Sequence, residues 1–320
     1  MIRRLLGSLS ILVSTSMLVA GCSEDAVETA TPPSIDSLVS AEWLIENADA
    51  PDLVIIDATV LVTMDAHGNF ESSNGRPQFD EGHIPGAVFA DLKGDLRDPD
   101  SPLEFGIPSP EQFAAAMSAL GVSDDSRVVI YDNMGSSWAA RVWWMLRWIG
   151  FDRAGLLDGG LNAWTAAGGE STTENSPVSP GELTINLRPQ MIADQEEVRA
   201  AIADDNVELV DALPAAHYRG EMAMYDQPGH IPSARNIPVM SLFSDDGRFK
   251  SELELESLLE GEKSKRTITY CGGGIAASGN ALALLRAGYS DVAIYAGSLE
   301  EWAANPENPM DVVLEFDEEY

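Results

Sequence analysis

Short apolar and β-branched runs alternate with longer stretches in which apolar residues recur every three or four positions. Val128–Tyr131 and Thr267–Tyr270 are continuous runs of the kind needed by parallel strands buried on both faces. The stretches after them carry Trp143, Trp144, Leu146 and Trp148 in one case and Leu282, Leu284 and Leu285 in the other. Each predicts an amphipathic helix whose large side chains pack into a core rather than cage a ligand. Strands alternating with helices predict an α/β fold with a mainly parallel sheet. In such sheets the loops at the carboxyl ends of the strands carry the sites.

The pattern occurs twice. "LVIIDA" (Leu53–Ala58) matches "VELVDA" (Val207–Ala212), and "DEGHIPGAVFADL" (Asp80–Leu92) matches "QPGHIPSARNIPV" (Gln227–Val239). Arg127–Gly168 matches Arg266–Asn305 in its order of strand, Gly/Ser loop, helix, strand and short helix. The spacing is several times that of a solenoid repeat, so the chain holds two copies of one domain. These are expected over residues 36–168 and 188–310. Residues 169–187, proline-bearing and poor in apolar positions at their start, read as a linker, and residues 311–320 as an acidic tail.

With 320 residues and 45% hydrophobic content, both copies can bury a core. The 52 acidic residues against 19 Lys and Arg give a net charge of −33. That argues against nucleic acid or an anionic membrane surface as a broad partner. The N-terminus adds a different membrane link. Arg3 and Arg4 precede an apolar run to Ala20, then Gly21 and Cys22, so residues 1–21 read as an export signal too short for a membrane span. "LVAGC" resembles the lipobox of bacterial lipoproteins. That resemblance implies a mature chain that starts at a lipidated Cys22, a polar tether over 22–35, and an exported protein anchored to the cell envelope. Cys271 is then the one thiol left.

Cys271 opens the stretch "CGGGIA" between a strand and a helix expected to start at Ile275 or Ala276. Gly272, Gly273 and Gly274 can take left-handed conformations and turn their N–H groups inward. The first amides of the helix have no partner within it. Together with Ile275 and Ala276 they predict a cradle of donors, aided by the helix dipole, that stabilises a sulfur anion. In the first copy Asp132 stands in the place of Cys271. A carboxylate is no soft nucleophile there, so only the second copy is expected to carry chemistry. The histidines are scattered. His83 and His230 occupy the duplicated GHIP turns, which suggests a scaffold role, and His67 lies in a loop, so no metal centre is expected.

These motifs resemble the two-domain rhodanese family, the thiosulfate and 3-mercaptopyruvate sulfurtransferases. The resemblance rests on "GHIPGA" (Gly82–Ala87), "GHIPSA" (Gly229–Ala234), "RVWWMLR" (Arg141–Arg147), "LLDGGLNAW" (Leu156–Trp164) and the loop Cys271–Ala276. It implies two tandem rhodanese-like domains, each a mainly parallel sheet flanked by helices. It also implies a ping-pong reaction in which Cys271 takes a sulfane sulfur as a persulfide and passes it to cyanide or a thiol, with no metal or organic cofactor.

The loop departs from both subfamilies. Thiosulfate-type members carry two basic residues after the Cys, and here these are glycines. Mercaptopyruvate-type members have Cys-Gly-Ser-Gly, and here Gly273 stands at the Ser and Ala276 at the usual Thr. His217 replaces a substrate-binding Arg in "HYRG", Arg219 is the nearest cation beside it, and Lys93 falls where an N-domain Asp is usual. His217, Arg219 and Lys93 are therefore the expected substrate contacts, and the donor stays open. A phosphatase of the Cys-x5-Arg type is disfavoured because Ala277 stands at the Arg position. A Cys-His hydrolase lacks an orienting carboxylate for its base. The remaining alternative is a non-catalytic binding or sulfur-carrier module of the envelope.

Overall fold

The computed structural model describes residues 34–64 and 70–313. The expected signal segment, Cys22 and His67 lie outside the described residues. The first copy contains β1 (Leu38–Val39), α1 (Ala41–Asn47), β2 (Leu53–Asp57), β3 (Val60–Met64), β4 (Phe70–Asn74), α2 (Arg76–Glu81), β5 (Val88–Phe89), α3 (Pro110–Ala119), β6 (Arg127–Tyr131), α4 (Ser137–Trp148), β7 (Ala154–Leu157) and α5 (Gly160–Ala166). The second contains β8 (Ile192–Ala193), α6 (Gln195–Ala201), β9 (Val207–Asp211), α7 (Ala215–Tyr218), β10 (Arg235–Asn236), α8 (Glu252–Leu258), β11 (Arg266–Tyr270), α9 (Ile275–Arg286), β12 (Asp291–Tyr295) and α10 (Ser298–Trp302).

Each copy forms a five-stranded parallel sheet, in the order β1-β7-β6-β2-β5 and, equivalently, β8-β12-β11-β9-β10. The central strands β6 and β11 are the continuous apolar runs, as burial on both faces demands. Registers repeat as well: Asp57 faces Tyr131 in one sheet and Asp211 faces Tyr270 in the other. The β3–β4 hairpin is antiparallel and belongs to the first copy alone among the described residues.

The two GHIP histidines perform one task twice. His83 stacks on Phe79 with ring centroids 3.7 Å apart, and its Nδ1 lies 2.8 Å from the Phe79 carbonyl. His230 stacks on Tyr218 at the same 3.7 Å, with Nδ1 2.7 Å from the Tyr218 carbonyl. Each also exchanges main-chain hydrogen bonds with a later segment, His83 with Thr172 and His230 with Asp311. Asp311 therefore closes the second domain instead of opening a tail, and Val313 N donates to the Arg219 carbonyl. The linker is likewise pinned: Gly181 N donates to the Ser118 carbonyl and Thr184 N to Asp124.

The described residues fall in one compact unit. Helices α4 and α9 pack against each other, and one apolar core runs through both copies. Trp143, Trp144 and Trp148 are buried in that core. This packing puts the carboxyl end of β11 beside residues of the first copy, which positions the site.

Candidate active site

Strand β11 ends at Tyr270 and α9 begins at Ile275, so Cys271–Gly274 is a tight connection. Cys271 is 3% exposed. Gly274 is the N-cap of α9 at φ +82°, and its N–H donates to Cys271 Sγ over 3.2 Å. A Cβ at Gly274 would come 2.7 Å from the Ala296 carbonyl oxygen and 2.9 Å from Arg141 Nη1. The expectation that all three glycines turn through the left-handed region is corrected, since only Gly274 does. Gly272 is needed for another reason: Met224 Sδ lies 2.6 Å from where its Cβ would be. At Gly273 the nearest atom to such a Cβ is Glu300 Oε2, at 3.4 Å.

The loop is held from the next strand connection. Ser298 has φ +52°, rare for a residue with a side chain. Its Oγ accepts from Cys271 N at 3.1 Å and donates to the Tyr295 carbonyl at 2.8 Å. Leu299 N and Glu300 N donate to the carbonyls of Cys271 and Gly272. The backbone strain at Ser298 is thus tied to the orientation of the cysteine.

Behind the loop stands Arg141, from α4 of the first copy, 2% exposed. Its Nη2 donates to the Phe105 carbonyl at 2.7 Å, and Nη1 lies 3.5 Å from the Gly274 carbonyl. Burial lowers its guanidinium to about 10, against an electrostatic pull from Cys271. It remains charged at neutral pH, so a buried cation acts electrostatically on Cys271.

Cys271 opens into a cavity of about 510 Å³ between the copies. Trp138, Phe105, Leu213, Tyr225, Met224 and Met240 supply much of its apolar wall, and Glu104 and Glu300 its charge. Burial, reinforced by Tyr225's acidic neighbours, raises the Tyr225 phenol. Burial also raises Glu300, against the Glu104 amide that donates to its Oε1 at 2.8 Å and the positive charge of Arg97, while the Glu104 charge adds to the rise.

The three expected substrate contacts part company here. His217 lines the cavity at 8% exposure, and its buried Nδ1 has no hydrogen-bond partner. Burial lowers its imidazole, which leaves it neutral at pH 7. Arg219 does not line the cavity and pairs with Glu221 at the surface, at 2.5 and 3.0 Å. Two positions along a helical turn reverse the side-chain direction, so His217 and Arg219 cannot both face inward. Lys93 is also corrected. Its Nζ donates to the Ser72 carbonyl at 2.8 Å and to Glu104 at 2.7 Å, so its charge is spent on two residues of the cavity wall and Lys93 itself does not line the cavity.

The first copy shows the same loop filled by its own side chain. Asp132 Oδ1 accepts from Met134 N and Ser136 N at 2.8 and 3.0 Å, and Oδ2 accepts from Ala139 N at 2.9 Å. Burial raises its carboxyl against those three donors. The cradle is one residue longer, since α4 starts at Ser137, and its anion site is occupied from within.

A family model described as "Rhodanese-like domain" matches residues 40–167 and 194–305. The chain belongs to the rhodanese family. It is 35% identical over 285 residues to a probable 3-mercaptopyruvate sulfurtransferase of Pseudomonas aeruginosa, covering 85% of this chain and 97% of that one. It is 35% identical over 279 residues to the thiosulfate sulfurtransferase of Bos taurus, covering 83% and 91%. Among solved structures, SseA from Escherichia coli, described as a 3-mercaptopyruvate sulfotransferase of the rhodanese fold, superposes with a TM-score of 0.73 at 32% identity, covering 82% and 99%. This rhodanese is accordingly a two-domain sulfurtransferase.

Sequence reasoning passed over Arg141, Ser298, Tyr225 and Glu300. Arg141 carried a signal, because a lone cation in the run "AARVWWML" predicts a buried charge that needs a purpose. Ser298 and Glu300 gave none, since their roles depend on the contact between separate segments.

Proposed function

We propose that this chain moves a sulfane sulfur from a small donor to a thiophilic acceptor through a persulfide on Cys271. The observation that carries this reading is the Gly274 N–H directed at Cys271 Sγ over 3.2 Å, at the floor of an open cavity. Buried Arg141 adds fixed positive potential where the sulfur anion must reside.

The donors are proposed from the relatives, whose names cite 3-mercaptopyruvate and thiosulfate. With thiosulfate, the Cys271 thiolate bonds the outer sulfur, the S–S bond breaks, and sulfite leaves with its electron pair. With 3-mercaptopyruvate, the C–S bond breaks and the thiol proton ends on the methyl carbon of pyruvate. Cyanide or a thiol then takes the outer sulfur and restores the thiolate. The first domain contributes Arg141 and part of the cavity wall but no nucleophile, because Asp132 fills its own cradle.

The test is intact mass after mixing with each donor. A gain of one sulfur, absent in Cys271→Ser, is expected. No gain with either donor overturns the reading, and a gain without turnover on cyanide or thiols would indicate a sulfur carrier. We also propose export and lipid anchoring at Cys22. Loss of fatty-acid labelling in Cys22→Ser tests that, and unlabelled wild type would refute it.

A further inference from the structure

An anionic donor or acceptor entering this cavity meets no arginine or lysine among its lining residues. The nearby cations are otherwise engaged. Lys93 is tied to Glu104 and lies over the Phe105 ring, Arg97 acts on Glu104 and Glu300 from outside the lining, Arg219 faces away with Glu221, and Arg141 lies beneath the loop, bonded to the Phe105 carbonyl. What the cavity does present is rings, thioethers and acid. Phe105 and Trp138 form a tilted pair with centroids 5.1 Å apart, and Met222 and Met240 are more than half exposed. The Glu300 carboxylate stands at the loop itself, 3.4 Å from where a side chain on Gly273 would begin. His217 also lines this space, neutral and with its Nδ1 buried away from it, so it adds no positive charge. The chain's net charge of −33 adds a field that slows approaching anions, the proposed donors included, and draws cations, so a cationic acceptor gains relative to an anionic one.

We infer that the acceptor of this enzyme is a small thiol with an apolar body and a positive charge, selected by Glu300 and the aromatic and methionine wall. The inference rests on the persulfide reading and specifies its second half-reaction. The acceptor sulfur bonds the outer sulfur of the Cys271 persulfide anion, and the S–S bond to Sγ breaks with its electron pair on Sγ. The acceptor's proton stays with the product, so RSH becomes RSSH and Cys271 returns as the thiolate. The ammonium group lies toward Glu300 and the rings, which attract cations through their faces. An acceptor bearing a carboxylate or sulfonate places its charge against Glu300 instead.

The test uses three thiols with the same two-carbon body. Enzyme loaded with excess thiosulfate or 3-mercaptopyruvate and freed of donor is mixed with cysteamine, 2-mercaptoethanol or 2-mercaptoethanesulfonate. Discharge of the persulfide is followed by intact mass, and rates are expressed per thiolate. Cysteamine is expected to be fastest and the sulfonate slowest, about tenfold or more apart at low salt, with the gap narrowing at high salt. Glu300→Gln keeps an oxygen to accept from Glu104 N and should reduce the gap severalfold. An equal or reversed order in loaded wild type overturns this inference and leaves the persulfide intact. A gap unchanged in Glu300→Gln removes Glu300 as the selector and overturns it too. Failure to take up sulfur at all sinks both readings together.

Discussion

Arg141 of the first domain places its guanidinium 3.5 Å from the carbonyl of Gly274, the residue whose amide donates to the Cys271 sulfur. The cation therefore comes from one copy of the repeat and the thiol from the other. Its hydrogen bonds among the described residues go to carbonyl oxygens, and the electrostatic pull that opposes its desolvation comes from Cys271. Such an arrangement has little value for stability, because a buried charge without a carboxylate is costly. Its value lies in the potential at the sulfur.

Arg141→Met is expected to slow persulfide formation about 10- to 100-fold, the scale of losing one preorganised charge contact. The urea midpoint should stay the same or rise, since an apolar side chain of similar length replaces an unpaired buried charge. Stopped reactions read by intact mass, beside urea titrations, check both halves. An unchanged rate would show that Arg141 merely fills space.

The fold was legible because period and repetition agree with it. The runs at Val128 and Thr267 became the central strands, and the duplicated GHIP turns became duplicated scaffolds. The cysteine loop was legible for a similar reason, since Cys271 through Ala276 are contiguous and their strand-to-helix setting is local. The cavity wall was not. Phe105, Trp138, Tyr225 and Glu300 come from four separate segments, and only the packing of α4 on α9 brings them together. Arg219 and Lys93 show the opposite error. Arg219 was expected as the cation beside His217 and Lys93 as the residue at the family's N-domain Asp position, but a nearby carboxylate, Glu221 or Glu104, engages each one.

Gly274→Ala should disable the enzyme without touching the thiol. The φ of +82° disfavours any side chain, and the new Cβ would press on both the Ala296 carbonyl and Arg141. Relief requires moving the amide that faces Sγ. Sulfur uptake is expected to fall about 100-fold or more, with a stability loss of about 1–3 kcal/mol. Sulfur uptake at the wild-type rate would mean that the amide does not matter. Gly273→Ala has more room and should be milder.

Asp132→Ala separates the two cradles by effect. Three main-chain amides would lose their acceptor inside the first domain. Stability should drop by about 2–4 kcal/mol, since buried unsatisfied donors are expensive. The enzyme should still take up one sulfur per chain at Cys271. A second sulfur, or loss of uptake in a folded variant, would contradict the assignment of chemistry to one domain.

Asp211 offers a pH-dependent test of the second domain's core. It is fully buried at the end of β9, where its Oδ1 accepts from Leu213 N at 2.7 Å. Burial pushes its carboxyl up to about 6 from an ordinary 3.8, against the pull of the Leu213 amide and the Tyr270 hydroxyl. The folded state thus holds a proton that the unfolded chain releases between those values. The resulting stability is fully present below about pH 3.8 and is lost as pH rises through about 6. Above that, the buried carboxylate costs up to about 3 kcal/mol. Asp211→Asn keeps an oxygen for the Leu213 amide and never ionises. It should therefore be more stable than wild type at pH 8 and equal to it below pH 4, read as the difference in urea unfolding free energy. Other groups titrate alike in both proteins and cancel. A difference that stays constant from pH 4 to pH 8 would show that Asp211 ionises as easily in the fold as outside it.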